Sequence, residues 1–163
     1  MSQAVPAAPV LIVGATSDIA RALARAYAAA GRSLVLTARD PARLMRDAAD
    51  LQIRHSVAVT TAPLDVEDEA AQERFLAGLD PLPGTVVCVV GLLTPQAEAE
   101  IDPAAAGRMM RANYVGPALL LGRVAARMAA RGSGTIVGIS SVAGDRGRAS
   151  NYIYGSAKAG FTA

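Results

Sequence analysis

Lys158 is the only lysine among sixteen basic residues, and it stands four positions after Tyr154. All the others are arginine. An ammonium is a compact charge that can reach two neighbouring hydroxyls, whereas a guanidinium is a wide planar fork. Residues four apart share a helix face, so the two side chains would project side by side. A cation beside a phenol stabilises the phenolate, which suits Tyr154 to give or take a proton. Thirteen residues upstream of Tyr154, Ser141 ends the segment GTIVGISS, which reads as a strand running into a loop. Taken alone, Y-x-x-x-K fits equally an ordinary small-residue helix start with a solvated lysine.

Three such residues need a scaffold to bring them together. Short apolar runs alternate here with longer helical patterns, the signature of a parallel sheet covered by helices on both faces. Val10 to Val13 reads as the first strand. Ser17 to Ala30 follows as a helix, with Ile19, Leu23 and Tyr27 spaced by four and Gly31 as its stop. Ser33 to Ala38 is the second strand, and Asp40-Pro41 supplies an N-cap and first-turn proline for a helix through about Ala49. Residues 57–60 form the third strand, and an acidic start over Asp65 to Glu69 opens a helix ending near Leu79. After a turn over residues 81–84, residues 85–90 are a fourth, fully apolar strand. A helical stretch runs from Pro103 to Arg131 with room for a break at Gly116-Pro117, and residues 135–140 are the fifth strand. The expected fold is α/β, a Rossmann-like doubly wound parallel sheet, with residues 1–163 as a single domain.

The first strand leads straight into Gly14-Ala-Thr16-Ser17-Asp18-Ile19-Ala20 and a helix. A glycine turn that delivers a helix N-terminus offers backbone N–H groups and a positive dipole end to a pyrophosphate. The plainer reading is that Ser17 and Asp18 simply cap the helix.

Composition removes other classes of function. At 163 residues and 52% hydrophobic, the chain can bury a real core. A net charge of +2 with scattered arginines argues against nucleic acid as a partner. Cys88 is the only cysteine and lies inside TVVCVVG, so it reads as a small core residue. His55 is the only histidine, reads as a surface or loop residue, and no metal site is expected. The N-terminus lacks the pattern of a signal peptide, and no apolar run approaches the ~20 residues of a membrane span. A cytoplasmic protein is the expectation.

The Ser141…Tyr154-x-x-x-Lys158 constellation resembles that of the short-chain dehydrogenase/reductase family. The resemblance implies hydride transfer between a nicotinamide and a small carbonyl or secondary-alcohol substrate. Tyr154 would be the general acid for reduction and general base for oxidation, and Lys158 would stabilise its phenolate and bind the nicotinamide ribose. Ser141 would orient the carbonyl oxygen, and Asn113 in MRANYVG matches the helix asparagine that supports a proton-relay water. Gly14, Thr16, Ser17, Asp18 and Ile19 match the cofactor's phosphate loop. The family's G-x-x-x-G-x-G keeps only Gly14, with Asp18 and Ala20 in place of the later glycines. Asp18 is expected to turn away from the phosphates, held by Arg21. The family's acidic position after the second strand aligns with Ala38 and is followed by Arg39, with Arg43 a turn further. That arrangement points to NADP(H), with NAD(H) as second choice. Asp65 and Val66 match the pair at the adenine ring and fit a helix cap equally well. Of the family's N-N-A-G, Cys88-Val-Val-Gly91 keeps only Gly91.

The resemblance covers this whole sequence but only the N-terminal portion of the family fold. The sequence stops barely two turns into the helix with Lys158, so a fragment is expected: weakly stable, prone to self-association and inactive by itself. The full-length form is expected to be a homo-oligomer. The stretch from Ser140 to Gly160 also resembles a narrower branch that reduces a lipid-linked keto-pentose during cell-envelope synthesis. A non-catalytic nucleotide-binding or interaction protein on the same fold is the alternative. The altered glycine motif favours that alternative, and the set Asn113, Ser141, Tyr154 and Lys158 opposes it.

Overall fold

A computed structural model describes residues 8–163. Five strands, β1 (Val10–Val13), β2 (Leu34–Ala38), β3 (Val59–Pro63), β4 (Thr85–Cys88) and β5 (Thr135–Gly138), form one parallel sheet in the order β3-β2-β1-β4-β5. Val10 stands opposite both Leu34 and Thr85, and Thr85 stands opposite Thr135. The central strands therefore end level, and the loops that follow them meet at one edge. The order reverses direction on either side of β1, which opens the crevice where such sheets bind ligands.

β1 is apolar throughout because both of its faces are covered. Val10 and Ile12 pack with Ala20, Ala24 and Ala28 of α1 (Asp18–Ala29) and with Leu51 of α2 (Met45–His55). Leu11 and Val13, alternate along the strand, face Leu76 of α3 (Glu69–Ala77). α4 (Gln96–Ile101) and α5 (Pro103–Met110) precede a five-residue π turn, Arg111–Val115. α6 (Gly116–Arg131) then adds Leu120, Val124 and Met128 to the second cluster. Ala99, Met109 and Ile153 gather α4, α5 and α7 (Tyr152–Thr162) into a third. Among the described residues, no helix is long and apolar enough to cross a membrane.

Several elements depart from the sequence expectation for identifiable reasons. In α1 the buried stripe is Ala20, Ala24 and Ala28, whose small side chains let the helix lie close on the sheet, while Ile19 stays 56% exposed. α2 continues to His55 instead of ending at Ala49, since no breaker intervenes until Ser56 takes a left-handed φ of 53°. Its first turn is a separate 3-10 segment over Pro41–Leu44, capped by Asp40, whose Oδ1 accepts from the Ala42 N–H at 3.0 Å. β3 starts at Val59, in register with Leu34. α3 starts at Glu69 because Asp68 caps it, accepting from the Ala71 N–H at 2.9 Å, so Asp65 stays in the loop before it. α4 was not expected at all. It ends at Ile101, and the next residue, Asp102, caps α5 by accepting from the Ala104 N–H at 2.8 Å. The irregularity between α5 and α6 falls before Gly116, which lies flush against the Val66 carbonyl where a Cβ would have no room.

Candidate functional site

Gly14 ends β1 at a φ of 80°, a left-handed conformation that glycine adopts without strain. A Cβ there would lie 3.1 Å from Val90 Cγ2 and 3.2 Å from the Val90 nitrogen, so a side chain would also crowd Val90. The N–H groups of Gly14 and Ala15 donate to the Thr37 carbonyl at 3.2 and 2.8 Å, which fixes the turn to β2. Ser17 caps α1, its Oγ accepting from the Ala20 N–H at 3.2 Å. The first N–H groups of α1 have no intrahelical partner and carry the positive end of the helix dipole. Beyond this turn, a crevice at the C-terminal ends of β1 to β4 is lined by Gly14, Thr16, Ser17, Arg39, Asp65, Val66 and Gly91. Seven residues expected at a nucleotide thus share one wall system.

Asp18 and Ile19 do not line it. The Asp18 side chain stands fully in solvent, as the substitution for glycine requires. Its expected holder, Arg21, reaches it only at 3.6 Å and bonds instead to Asp47 of α2 at 2.8 Å. The Asp47 contact raises the Arg21 value, first through the hydrogen bond and then through charge. Arg39 follows β2 directly, and among the described residues it has no carboxylate within ion-pair distance. Asp65 accepts from the Glu67 N–H at 2.9 Å, which bends the loop without capping a helix.

Lys158 is 2% exposed. Its Nζ donates to the Val90 carbonyl at 3.1 Å and the Ile139 carbonyl at 3.4 Å, just beyond the ends of β4 and β5. It also lies 5.9 Å from the centre of the Tyr154 ring. Burial pushes the Lys158 ammonium below its ordinary value, and the neighbouring Cys88 opposes that shift. Cys88 is buried in β4 as expected, and burial pushes its thiol up. Tyr154 and Ser141 line one cleft of about 480 Å³, together with Leu93, Thr94, Gln96 and Asn151. Ser141 Oγ accepts from the Ala143 N–H at 3.2 Å and so starts a short 3-10 turn. Two bare-backbone contacts bring this turn and α7 together: a Cβ on Gly144 would lie 2.7 Å from the Ala159 nitrogen, and one on Gly155 would lie 2.6 Å from the Ala143 carbonyl oxygen.

Asn113 sits in the π turn and is completely buried. Its Nδ2 donates to the carbonyls of Leu92 at 2.6 Å and Met109 at 2.8 Å, and its Oδ1 accepts from the Leu92 N–H at 3.1 Å. The amide therefore clasps the loop after β4, next to Gly91. The sequence reading missed Glu67 and Leu92 on the crevice wall, and Gln72 behind it. A glutamine at a buried position of an otherwise apolar helix face is the signal that could have revealed the last of these.

The family model described as short chain dehydrogenase matches residues 8–163. An uncharacterised oxidoreductase of Mycobacterium tuberculosis is 44% identical over 158 residues, covering 94% of this chain and 63% of the relative. Sulfoacetaldehyde reductase 2 of Chromohalobacter salexigens is 39% identical over 158 residues, covering 92% of this chain and 61% of the relative. Among solved structures, a bulky-bulky ketone specific alcohol dehydrogenase from Comamonas testosteroni superposes with a TM-score of 0.87 at 28% identity, over 96% of this chain and 64% of that one. A short-chain dehydrogenase from Sphingobium yanoikuyae in complex with NADPH gives 0.84 at 29% identity, over 94% and 61%. The chain thus spans less than two thirds of the length of these relatives. Sheet order, crevice and sequence matches agree, and the chain belongs to the short-chain dehydrogenase family.

Proposed function

We propose that this chain carries the cofactor site and the catalytic groups of an NADP(H)-dependent oxidoreductase acting on a carbonyl or secondary alcohol. The observation that supports it most is Lys158, a buried ammonium tethered at the sheet's C-terminal edge beside Tyr154. A merely solvated lysine would not be there. The bare Gly14 turn and the unpaired Arg39 fit the pyrophosphate and 2′-phosphate of a dinucleotide. Bound there, the nicotinamide supplies or takes the hydride.

The protein's share is position and protons. Tyr154 donates its phenolic proton to the carbonyl oxygen in reduction and takes it back in oxidation. Lys158 stabilises the phenolate left behind. Ser141, in the same cleft, donates a hydrogen bond that orients the carbonyl oxygen. Asn113 acts by holding the loop that carries Gly91 and Leu92, since its amide is engaged there. A lipid-linked keto-pentose as substrate rests on the stretch from Ser140 to Gly160 alone. Exposed Tyr114, Val115 and Leu119 on the π turn and α6 support self-association of the whole enzyme.

Cofactor titration tests the reading. The wild type is expected to bind NADPH more tightly than NADH. Arg39→Asp is expected to weaken NADPH by about tenfold or more, because a charge-assisted contact becomes repulsion, and to leave NADH nearly unchanged. Equal loss for both cofactors would count against the 2′-phosphate role, and no binding of either would end the nucleotide reading.

A further inference from the structure

Gln72 is completely buried in α3, on the face that also carries Leu76. Burying an amide costs stability unless its polar atoms are paired. Here they are. Nε2 donates to the Val66 carbonyl at 2.7 Å and the Gly116 carbonyl at 3.1 Å, and Oε1 accepts from Arg123 Nη1 at 2.7 Å. Arg123 is itself held by Glu69 at 3.2 Å and Glu73 at 3.6 Å. A methionine would fill the same apolar face with no such demands, so packing alone does not call for an amide.

Its partners lie behind the two walls of the crevice. Val66 is one wall. Gly116 directly follows the π turn whose Asn113 clasps Leu92, part of the other wall. Gly116 also has no room for a methyl group, because the Val66 carbonyl stands against it. We propose that Gln72 is a positioning residue for the nucleotide crevice. It draws the Val66 carbonyl inward and ties it to the start of α6, which fixes the separation of the Asp65–Val66 wall from the Leu92 wall. This rests on the nucleotide-binding reading above and adds the residue that sets the spacing at the adenine end.

The test uses the 163-residue chain, with ADP affinity by calorimetry, a parallel NMR titration with nicotinamide mononucleotide, and thermal melts. Gln72→Met, which keeps the volume but takes the amide from the two carbonyls and Arg123, is expected to fold with a lowered melting temperature and to bind ADP about tenfold more weakly. Its response to nicotinamide mononucleotide should not change. Gln72→Glu keeps an acceptor for Arg123 but no donor for the two carbonyls, and should lose ADP affinity likewise. A merely structural role would weaken both probes together, which would overturn the proposal. So would wild-type ADP affinity in Gln72→Met. If that variant fails to fold, Gln72→Glu decides, because it keeps the Arg123 contact and removes only the donations to the two carbonyls: wild-type ADP affinity there overturns the proposal. A wild type that binds neither probe would remove the nucleotide reading and this inference with it, whereas binding that ignores Gln72 removes the inference alone.

Discussion

A lysine whose ammonium is bonded to the Val90 and Ile139 carbonyls is anchored at its tip, unlike a surface lysine that swings on a four-carbon stem. Tyr154 gains a cation at a fixed place. In any preparation that turns over a ketone with NADPH, Tyr154→Phe is expected to lower kcat by roughly 10²- to 10⁴-fold while cofactor affinity holds, as separate turnover and binding assays would record. The anchoring also has a pH signature. Burial holds the folded Lys158 value below its ordinary 10.5, so between those two values the unfolded chain carries a proton that the folded chain has released. Stability contributed by this residue therefore rises with pH across that window. Denaturant melts of the wild type and Lys158→Met at several alkaline pH values should show the wild type gaining on the variant as pH climbs towards 10.5. A constant gap would mean that Lys158 titrates alike in both states.

At the scale of elements, two nearby aspartates do different work. Asp68 caps α3, whereas Asp65 shapes the loop that lines the crevice. Asp68→Ala is expected to cost about 1 kcal/mol in a denaturant melt. Asp65→Ala should spare α3 and appear chiefly as weaker ADP binding; the reverse pattern would assign the cap to Asp65. Sequence left that choice open because both residues precede the same helix. What could be read directly was local: the apolar β1 run, the Ser17 and Asp40 caps, the Gly14 turn and the tyrosine–lysine spacing on α7. What could not be read depends on partners far along the chain. Ile19 has the right spacing for a core stripe, yet the close approach of α1 to the sheet selects the alanines beside it. The π turn is invisible in RANYV, and it runs into Gly116, whose close contact with the Val66 carbonyl no local sequence reveals. Asn113 matches a relay residue by motif, and the fold adds what the motif does not say, that its amide also holds the Leu92 loop.

For the whole molecule, the sheet has unequal edges. β1 lies at the centre with every residue buried, while β5 pairs only with β4 and exposes Ile136 to 37%. Hydrogen exchange should therefore be much faster over Thr135–Gly138 than over Val10–Val13, since few contacts restrain the outer strand. Equal protection would indicate that self-association covers β5. The tethers of Lys158 also impose an order in time. They join residue 158 to residues 90 and 139, one of them 68 positions away, so each closes a long stretch of chain and is expected to form late, as folding rates of Lys158→Met would show. On a ribosome, the residues that line the crevice, none beyond Ala112, emerge before Tyr154 and Lys158. On the proposed function, the nucleotide crevice is therefore expected to take shape before the proton-transfer groups meet, so that stalled chains ending near residue 140 should bind ADP while lacking the tethered lysine.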